Sequence, residues 1–262
     1  MDLGLAGKVA LVQGASAGLG RAVARELSRE GCLVSLCSRD AGRARTAAEE
    51  IERETGRTVA GFACDVRDTT ALARHVEATV ERFGGLHVLL CNAGGPPRKR
   101  FEETTPEEWN DAVRANFLSV VDTCRLVVPH MRKAGWGRIL IVTSIAVKQP
   151  IDGLVLSNAT RAGATGFAKS LANEVGKDGI TVNCLCPGVT RTGRLDSLVA
   201  AAKAQGQTEV QALESLSSGV PVGRVGTPEE FAAVAAFLAS ERASYVTGTS
   251  IAIDGGAARG LL

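Results

Sequence analysis

Gln13-Gly14-Ala15-Ser16-Ala17-Gly18-Leu19-Gly20 could hold a phosphate. Glycines at 14, 18 and 20 permit a tight turn and close approach of backbone to a ligand. A helix starting there offers unpaired N–H groups and the positive end of its dipole. The spacing is GxxxGxG rather than GxGxxG, and glycine-rich turns also serve as plain strand–helix connections. Its place between an apolar run and a helical stretch favours a nucleotide site, with Gly14, Ser16, Gly18, Leu19 and Gly20 against the cofactor. The second apolar run ends Cys37-Ser38-Arg39, where a cofactor without a 2′-phosphate would meet an acid on its ribose. No acid stands there before Asp40. Arg39, with a fork of donors, and Ser38 suit a 2′-phosphate, so NADP(H) is expected over NAD(H). The competing reading of Arg39 is a solvated loop charge.

The elements that must position these residues alternate. Lys8–Gln13, Leu33–Cys37, Thr58–Ala63, His87–Cys91, Arg138–Thr143, Thr181–Cys186 and Ser250–Ile253 read as short strands. Gly20–Glu30, Ala41–Glu54, Thr70–Phe83, Pro106–Lys133, Asn158–Lys177 and Pro228–Ser240 read as helices. Apolar strands alternating with helices imply an α/β fold, a parallel sheet covered on both faces. Val120, Val121, Leu126, Val127 and Val128 form a wide apolar face, open to either a helix–helix oligomer contact or ordinary packing on the sheet. The Ala/Gln-rich piece Leu198–Leu213 reads as a weakly anchored helix within a mobile substrate flap around 191–217. No repeat or linker interrupts the chain, so residues 1–262 are expected to form one domain.

In this order and spacing the motifs resemble those of the short-chain dehydrogenase/reductase family, classical type, over essentially the full length. They are the GASAGLG turn, Cys64-Asp65-Val66, Cys91-Asn92-Ala93-Gly94, Asn116, Thr143-Ser144, Pro187-Gly188 and Ile253-Asp254-Gly255-Gly256. Gln13 stands where the family usually has threonine. The resemblance implies a Rossmann-type, doubly wound, seven-stranded sheet of order 3-2-1-4-5-6-7, with helices on both faces and the site at the carboxyl ends of the strands. It implies Asp65 and Val66 beside the adenine and Asn92, Ala93 and Gly94 along the cofactor cleft. Pro187, Gly188 and Thr192 would hold the nicotinamide carboxamide.

In that family a serine polarises the carbonyl and a tyrosine donates the proton. A lysine four residues on lowers the tyrosine's pKa and holds the nicotinamide ribose, and an asparagine anchors a relay water. Ser144 and Asn116 match the serine and the asparagine. Ser157 and Arg161 occupy the places of the tyrosine and the lysine, and the chain's one tyrosine is Tyr245. The chain thus resembles a variant branch of the family and is similar to 3-oxoacyl-acyl-carrier-protein reductase-like proteins. A phenol titrates near 10, an aliphatic hydroxyl far higher, and arginine stays charged. The pair could therefore keep the binding role while weakening acid catalysis. The proton could come from water relayed by Ser157, or from Lys148, four past Ser144, unless Lys148 is a solvated loop lysine. It could also come from the substrate, or a substrate with a conjugated or cationic carbon could need none.

The expected activity is an NADP(H)-dependent oxidoreductase acting on a carbonyl/alcohol or related unsaturated small molecule. Two alternatives stand: a cofactor-binding but redox-silent partner subunit, and a non-redox dehydratase or isomerase. Arg98-Lys99-Arg100 could draw an anionic or acyl-carrier-bound substrate, or be a solvated charge run beside Glu102-Glu103. A net charge of +2, from 30 basic and 28 acidic residues, points to neither nucleic acid nor a membrane surface. No signal peptide or membrane span is expected. Seven cysteines without a CxxC read as reduced thiols of a cytoplasmic protein. Cys184 and Cys186 are the one close pair, and His75, His87 and His130 are scattered, so no metal site is expected. A homo-oligomer, dimer or tetramer, is the expected assembly.

Overall fold

The computed structural model describes residues 2–260. Seven strands form one sheet: β1 (Val9–Val12), β2 (Leu33–Ser38), β3 (Val59–Ala63), β4 (Val88–Cys91), β5 (Gly137–Val142), β6 (Ile180–Pro187) and β7 (Ser250–Ile253). Their order is β3-β2-β1-β4-β5-β6-β7, every pair parallel, as the resemblance implied. Every residue of β1, β4 and β5 is buried, because helices cover both faces.

Side-chain alternation splits each strand between two cores. Ala10, Val12, Val34, Leu36, Leu90 and Leu140 face α1 (Gly18–Arg29), α2 (Ala41–Thr55) and α9 (Pro228–Leu238). Leu11, Leu89, Ile139, Ile141 and Val182 face α3 (Thr69–Phe83), α5 (Ser119–Ala134) and α6 (Val155–Val175). Of the apolar face on α5, Val120, Val127 and Val128 are absorbed by this second core, while Val121 and Leu126 stay half-buried. No helix among the described residues is long and apolar enough to cross a membrane.

Two expectations need correction. The single helix over Pro106–Lys133 is instead α4 (Pro106–Val113), a π-turn at Arg114–Leu118, and α5. The wide turn is pinned by Arg114, whose Nη1 pairs with Asp122 at 2.8 Å and whose Nε donates to the Arg67 carbonyl at 2.7 Å. Hydrophobic periodicity cannot reveal one extra residue in a turn. The Leu198–Leu213 piece is two helices, α7 (Gly193–Ala204) and α8 (Glu209–Ser217). Gly206, at φ 89°, breaks the chain between them, and Thr208 with Gln211 caps α8 reciprocally. The piece is not weakly anchored, since Leu195, Val199 and Ala212 bury one another in a small core with Leu213 and Leu216.

At the amino end of β5, away from the carboxyl ends of the strands, Arg138 is 2% exposed. It donates to the carbonyls of Gly137 (2.8 Å), Gly179 (3.2 Å) and Ser240 (3.2 Å), and pairs with Glu241. Its guanidinium and the Lys8 ammonium each lie 4.2 Å from the Trp136 ring centre. Orphaning a buried carbonyl costs about 1–3 kcal/mol. Arg138→Met should therefore destabilise the fold by about 3 kcal/mol in urea titration while leaving nucleotide affinity unchanged.

Candidate active site

A cavity of about 680 Å³ opens at the carboxyl ends of the central strands. Its walls include Gly14 and Ser16, Ser38 and Arg39 after β2, Asp65 and Val66 after β3, Asn92 to Gly94 after β4, and Asn116 of the π-turn. Gly14 and Gly18 both sit at φ 58°, and a Cβ on Gly20 would lie 2.4 Å from the Gly14 carbonyl oxygen. The turn therefore needs glycine for its own shape. The Asn92 amide braces it, donating to the carbonyls of Gln13 and Gly14 at 3.2 Å each. Gln13 itself is buried and donates to Thr123 of α5 at 2.9 Å.

The first turn of α1, like those of α5, α6 and α7, has no side-chain cap. Side chains cap α2, α3, α4, α8 and α9 (Asp40, Asp68, Thr105, Thr208 and Thr227), but the N-cap of α1 is Ala17, which offers no acceptor. Its N–H groups are left for an anion at the cavity, which fits a pyrophosphate. The Leu19 side chain packs, half-buried, against the core of α1, α2 and α9, so its backbone N–H is the group it can offer to a cofactor. Gly18 and Gly20 shape the turn behind the cavity wall.

Arg39 is exposed at the far end of the cavity with Arg43 and Arg67. Asp40, the nearest acid, is engaged as the N-cap of α2, accepting from the Arg43 N–H at 2.9 Å. The Ser38 hydroxyl donates to the Asp40 carbonyl at 2.7 Å, which leaves Ser38 an acceptor. Asp65 is gripped by Arg67, Nη2 to Oδ2 at 2.7 Å, and Arg67 also reaches Asp111 at 2.7 Å. That grip, with a smaller contribution from the Arg39 charge, holds the Asp65 carboxyl below its ordinary pKa. Cys64 lines the same wall, its thiol pulled down to about 6, chiefly by a hydrogen bond from the deeper Cys37, whose own pKa is pushed well up.

Ser144, Lys148, Ser157 and Arg161 lie around the end of β5 and are not among the residues that line this cavity, whereas Asn116 is. Ser144 caps the short 3₁₀ turn Ile145–Val147, accepting from the Ala146 N–H at 3.1 Å. α6 packs against both this turn and the π-turn, where the Phe117 ring lies 3.7 Å from the place a Cβ on Gly163 would take. Ser157 and Arg161 lie on the buried face of α6, 6% and 7% exposed. Arg161 Nη1 donates to the Val142 carbonyl at 2.6 Å, which ties it to the residue pair before Ser144. Asn116 is 5% exposed, and its Oδ1 has no hydrogen-bond partner among the described residues. A buried amide oxygen bordering a polar cavity is a ready acceptor for water or ligand.

Lys148 is half-buried just past the 3₁₀ turn. Burial raises the Cys186 thiol pKa; the Thr143 hydrogen bond and the charges of Lys148 and Arg161 pull it the other way. Both cations therefore act on one point at the end of β6. Gly188 lies against Asp254 after β7, where a Cβ would approach within 2.7 Å, and Thr192 lies beside Gly18. Pro187 ends β6, half-buried.

The basic run is partly neutralised: Lys99 pairs with Glu108 at 2.6 Å rather than with Glu102 or Glu103, and Arg98 donates to the Asp152 carbonyl at 3.4 Å. Arg43, Arg67 and Asp111 escaped sequence reasoning, although Arg67 stands two residues after Asp65, a spacing suited to a local ion pair.

A family model described as enoyl-(acyl carrier protein) reductase matches residues 14–258. The chain is 36% identical over 273 residues to a cyclohexanol dehydrogenase of Rhodococcus sp. strain TK6, with 97% of each chain covered. It is 35% identical over 254 residues to 3-oxoacyl-(acyl-carrier-protein) reductase FabG of Pseudomonas aeruginosa, covering 97% of this chain and 98% of that protein. L-sorbose reductase from Gluconobacter frateurii, solved with NADPH and L-sorbose, matches with a TM-score of 0.96 and 34% identity over 100% of both chains.

Proposed function

The chain belongs to the short-chain dehydrogenase/reductase family, and from that we propose that it is an NADP(H)-dependent oxidoreductase acting on a carbonyl/alcohol pair or a related unsaturated carbon. The observation that carries this reading is the single cavity reaching from the uncapped start of α1 to the orphaned Asn116 Oδ1. Bound NADP(H) would supply or accept the hydride. The solved NADPH complex of a relative supports the same cofactor here.

The chain's own groups would divide the remaining work. The glycine turn and the N–H groups of α1 hold the pyrophosphate. Pro187, Gly188 and Thr192 are assigned to the carboxamide end. Ser144 already accepts from Ala146, so its O–H is left to donate to a carbonyl oxygen. Arg161 sets a fixed positive charge beside the reacting centre, with Ser157 one helical turn away on the same face. Arginine does not release a proton. Lys148 can release one, and so can a water held at Asn116 Oδ1. The segment 191–217, built from α7 and α8, is assigned to the substrate side as a flap. Arg98 and Arg100 suit an anionic or acyl-carrier-bound substrate, and a homo-oligomer is the assembly we expect.

Arg39 is assigned to the 2′-phosphate; Ser38, expected beside it, would join only by turning its hydroxyl away from the Asp40 carbonyl. A charge-assisted hydrogen bond is worth about 1.5–3 kcal/mol, or roughly 10–150-fold in affinity. Arg39→Ala should weaken NADPH binding by that factor in a fluorescence titration and leave NADH binding unchanged; equal losses for both would refute the assignment. The activity itself is tested by NADPH consumption over a panel of ketones, aldehydes and acyl thioesters. Binding without consumption would favour the second reading, a redox-silent partner subunit, for which the absent tyrosine and lysine are the motive. Product formation without a change in NADPH would indicate dehydration or isomerisation.

A further inference from the structure

We propose that Cys37, Cys64 and His75 form a buried binding site for a thiophilic divalent cation of the zinc type, beside the adenosine end of the cavity. The three come from different elements: Cys37 from β2, Cys64 from the residue after β3, and His75 from α3. Sequence spacing gave no sign of them. All three are buried, and their ligand atoms lie within 4.8 Å of one another. Zinc–sulfur and zinc–nitrogen bonds of about 2.3 and 2.0–2.1 Å place tetrahedral ligand atoms about 3.5–3.8 Å apart. Rotamer adjustments of about an ångström would close the site.

The hydrogen-bond network already prepares the imidazole. Thr79 Oγ1 donates to the His75 carbonyl at 2.7 Å, so its proton is spent. Ser35 Oγ, 2.7 Å from Thr79 Oγ1, must then be the donor in that contact. Ser35 Oγ therefore accepts from His75 Nε2–H, at 3.0 Å. The proton sits on Nε2, and Nδ1 presents a bare lone pair. His75 is 3% exposed, and this Nδ1 has no hydrogen-bond partner among the described residues. Metal-bound histidines are typically fixed in this way, by a hydrogen bond from the opposite ring nitrogen.

The charge balance also suits a buried site. Two thiolates and one neutral imidazole around a dication sum to zero, which avoids the cost of an isolated buried charge. Binding displaces the thiol protons into solvent, and no oxidation or reduction is involved. Cys64 lies in the cavity wall, so the cluster borders the cavity at that one residue.

The test uses the full chain, stripped with chelator under reducing conditions and titrated with Co²⁺ as a spectroscopic stand-in for zinc. One equivalent should bind, with a sulfur-to-cobalt charge-transfer band in the near ultraviolet. Cys64→Ser and, independently, Cys37→Ser should abolish or shift the band. Ser35→Ala, which frees the imidazole from its fixed tautomer, should weaken binding by about 10–100-fold. Cys124→Ser alters a separate patch of buried thiols with Cys91 and Cys184 and should leave the band intact. Absence of the band in the unaltered chain, its persistence in both Cys37→Ser and Cys64→Ser, or its loss in Cys124→Ser would each overturn the site.

Discussion

Ser157→Tyr combined with Arg161→Lys should raise NADPH-dependent reduction of a simple ketone by about 10²–10⁴-fold, the usual contribution of a positioned general acid. Both positions lie on the buried face of α6, against the turn that carries Ser144. A phenol titrates near 10, and a neighbouring ammonium can draw it lower; the hydroxyl of Ser157 has no such range. The double change gives up the bond from Arg161 to the Val142 carbonyl, so thermal stability is measured alongside. A gain in turnover means a site that lacks only its acid. A fall in turnover of a native substrate would instead mean that Ser157 and Arg161 carry chemistry of their own.

Ser144→Ala should lower kcat by about 10²–10³-fold, the cost of losing one preorganised donor to a developing oxyanion. The affinity for NADPH should not change, because the role proposed for Ser144 is at the carbonyl end of the site rather than the phosphate end. The Ala146 N–H loses its acceptor, which costs about 1 kcal/mol of stability and is separable by denaturation. The substitution is informative in both backgrounds. In the unaltered chain it asks whether native turnover uses this serine. In the Ser157→Tyr/Arg161→Lys chain it asks whether the restored acid works through the same centre. Turnover that ignores Ser144 in both would place the reaction elsewhere.

Much of the architecture is legible in the amino-acid sequence. Seven apolar runs alternating with helical stretches sufficed for the parallel sheet, because strands buried on both faces must be apolar throughout. The glycine turn was equally plain. Gly14, Gly18 and Gly20 are demanded by local backbone geometry, and local geometry is written in local sequence. The expectation that Ser157 and Arg161 stand in the places of the family's tyrosine and lysine rests on counting from Ser144.

Other features depend on contacts between residues distant in the chain, and no local pattern encodes them. The π-turn that buries Asn116 follows from Arg114 reaching Asp122 and the Arg67 carbonyl. The availability of Arg39 for a phosphate depends on Asp40 being engaged by α2, and Asp65 being held by Arg67. The buried Cys37, Cys64 and His75 are assembled from a strand, the residue after another strand and a helix, and the tautomer of His75 is set by Ser35 and Thr79. Periodicity and turn chemistry act over a few residues, and from them come the fold and the glycine turn. Protonation state, orphaned acceptors and ligand clusters arise from side chains meeting across elements, and those meetings exist once the sheet and its helices have packed.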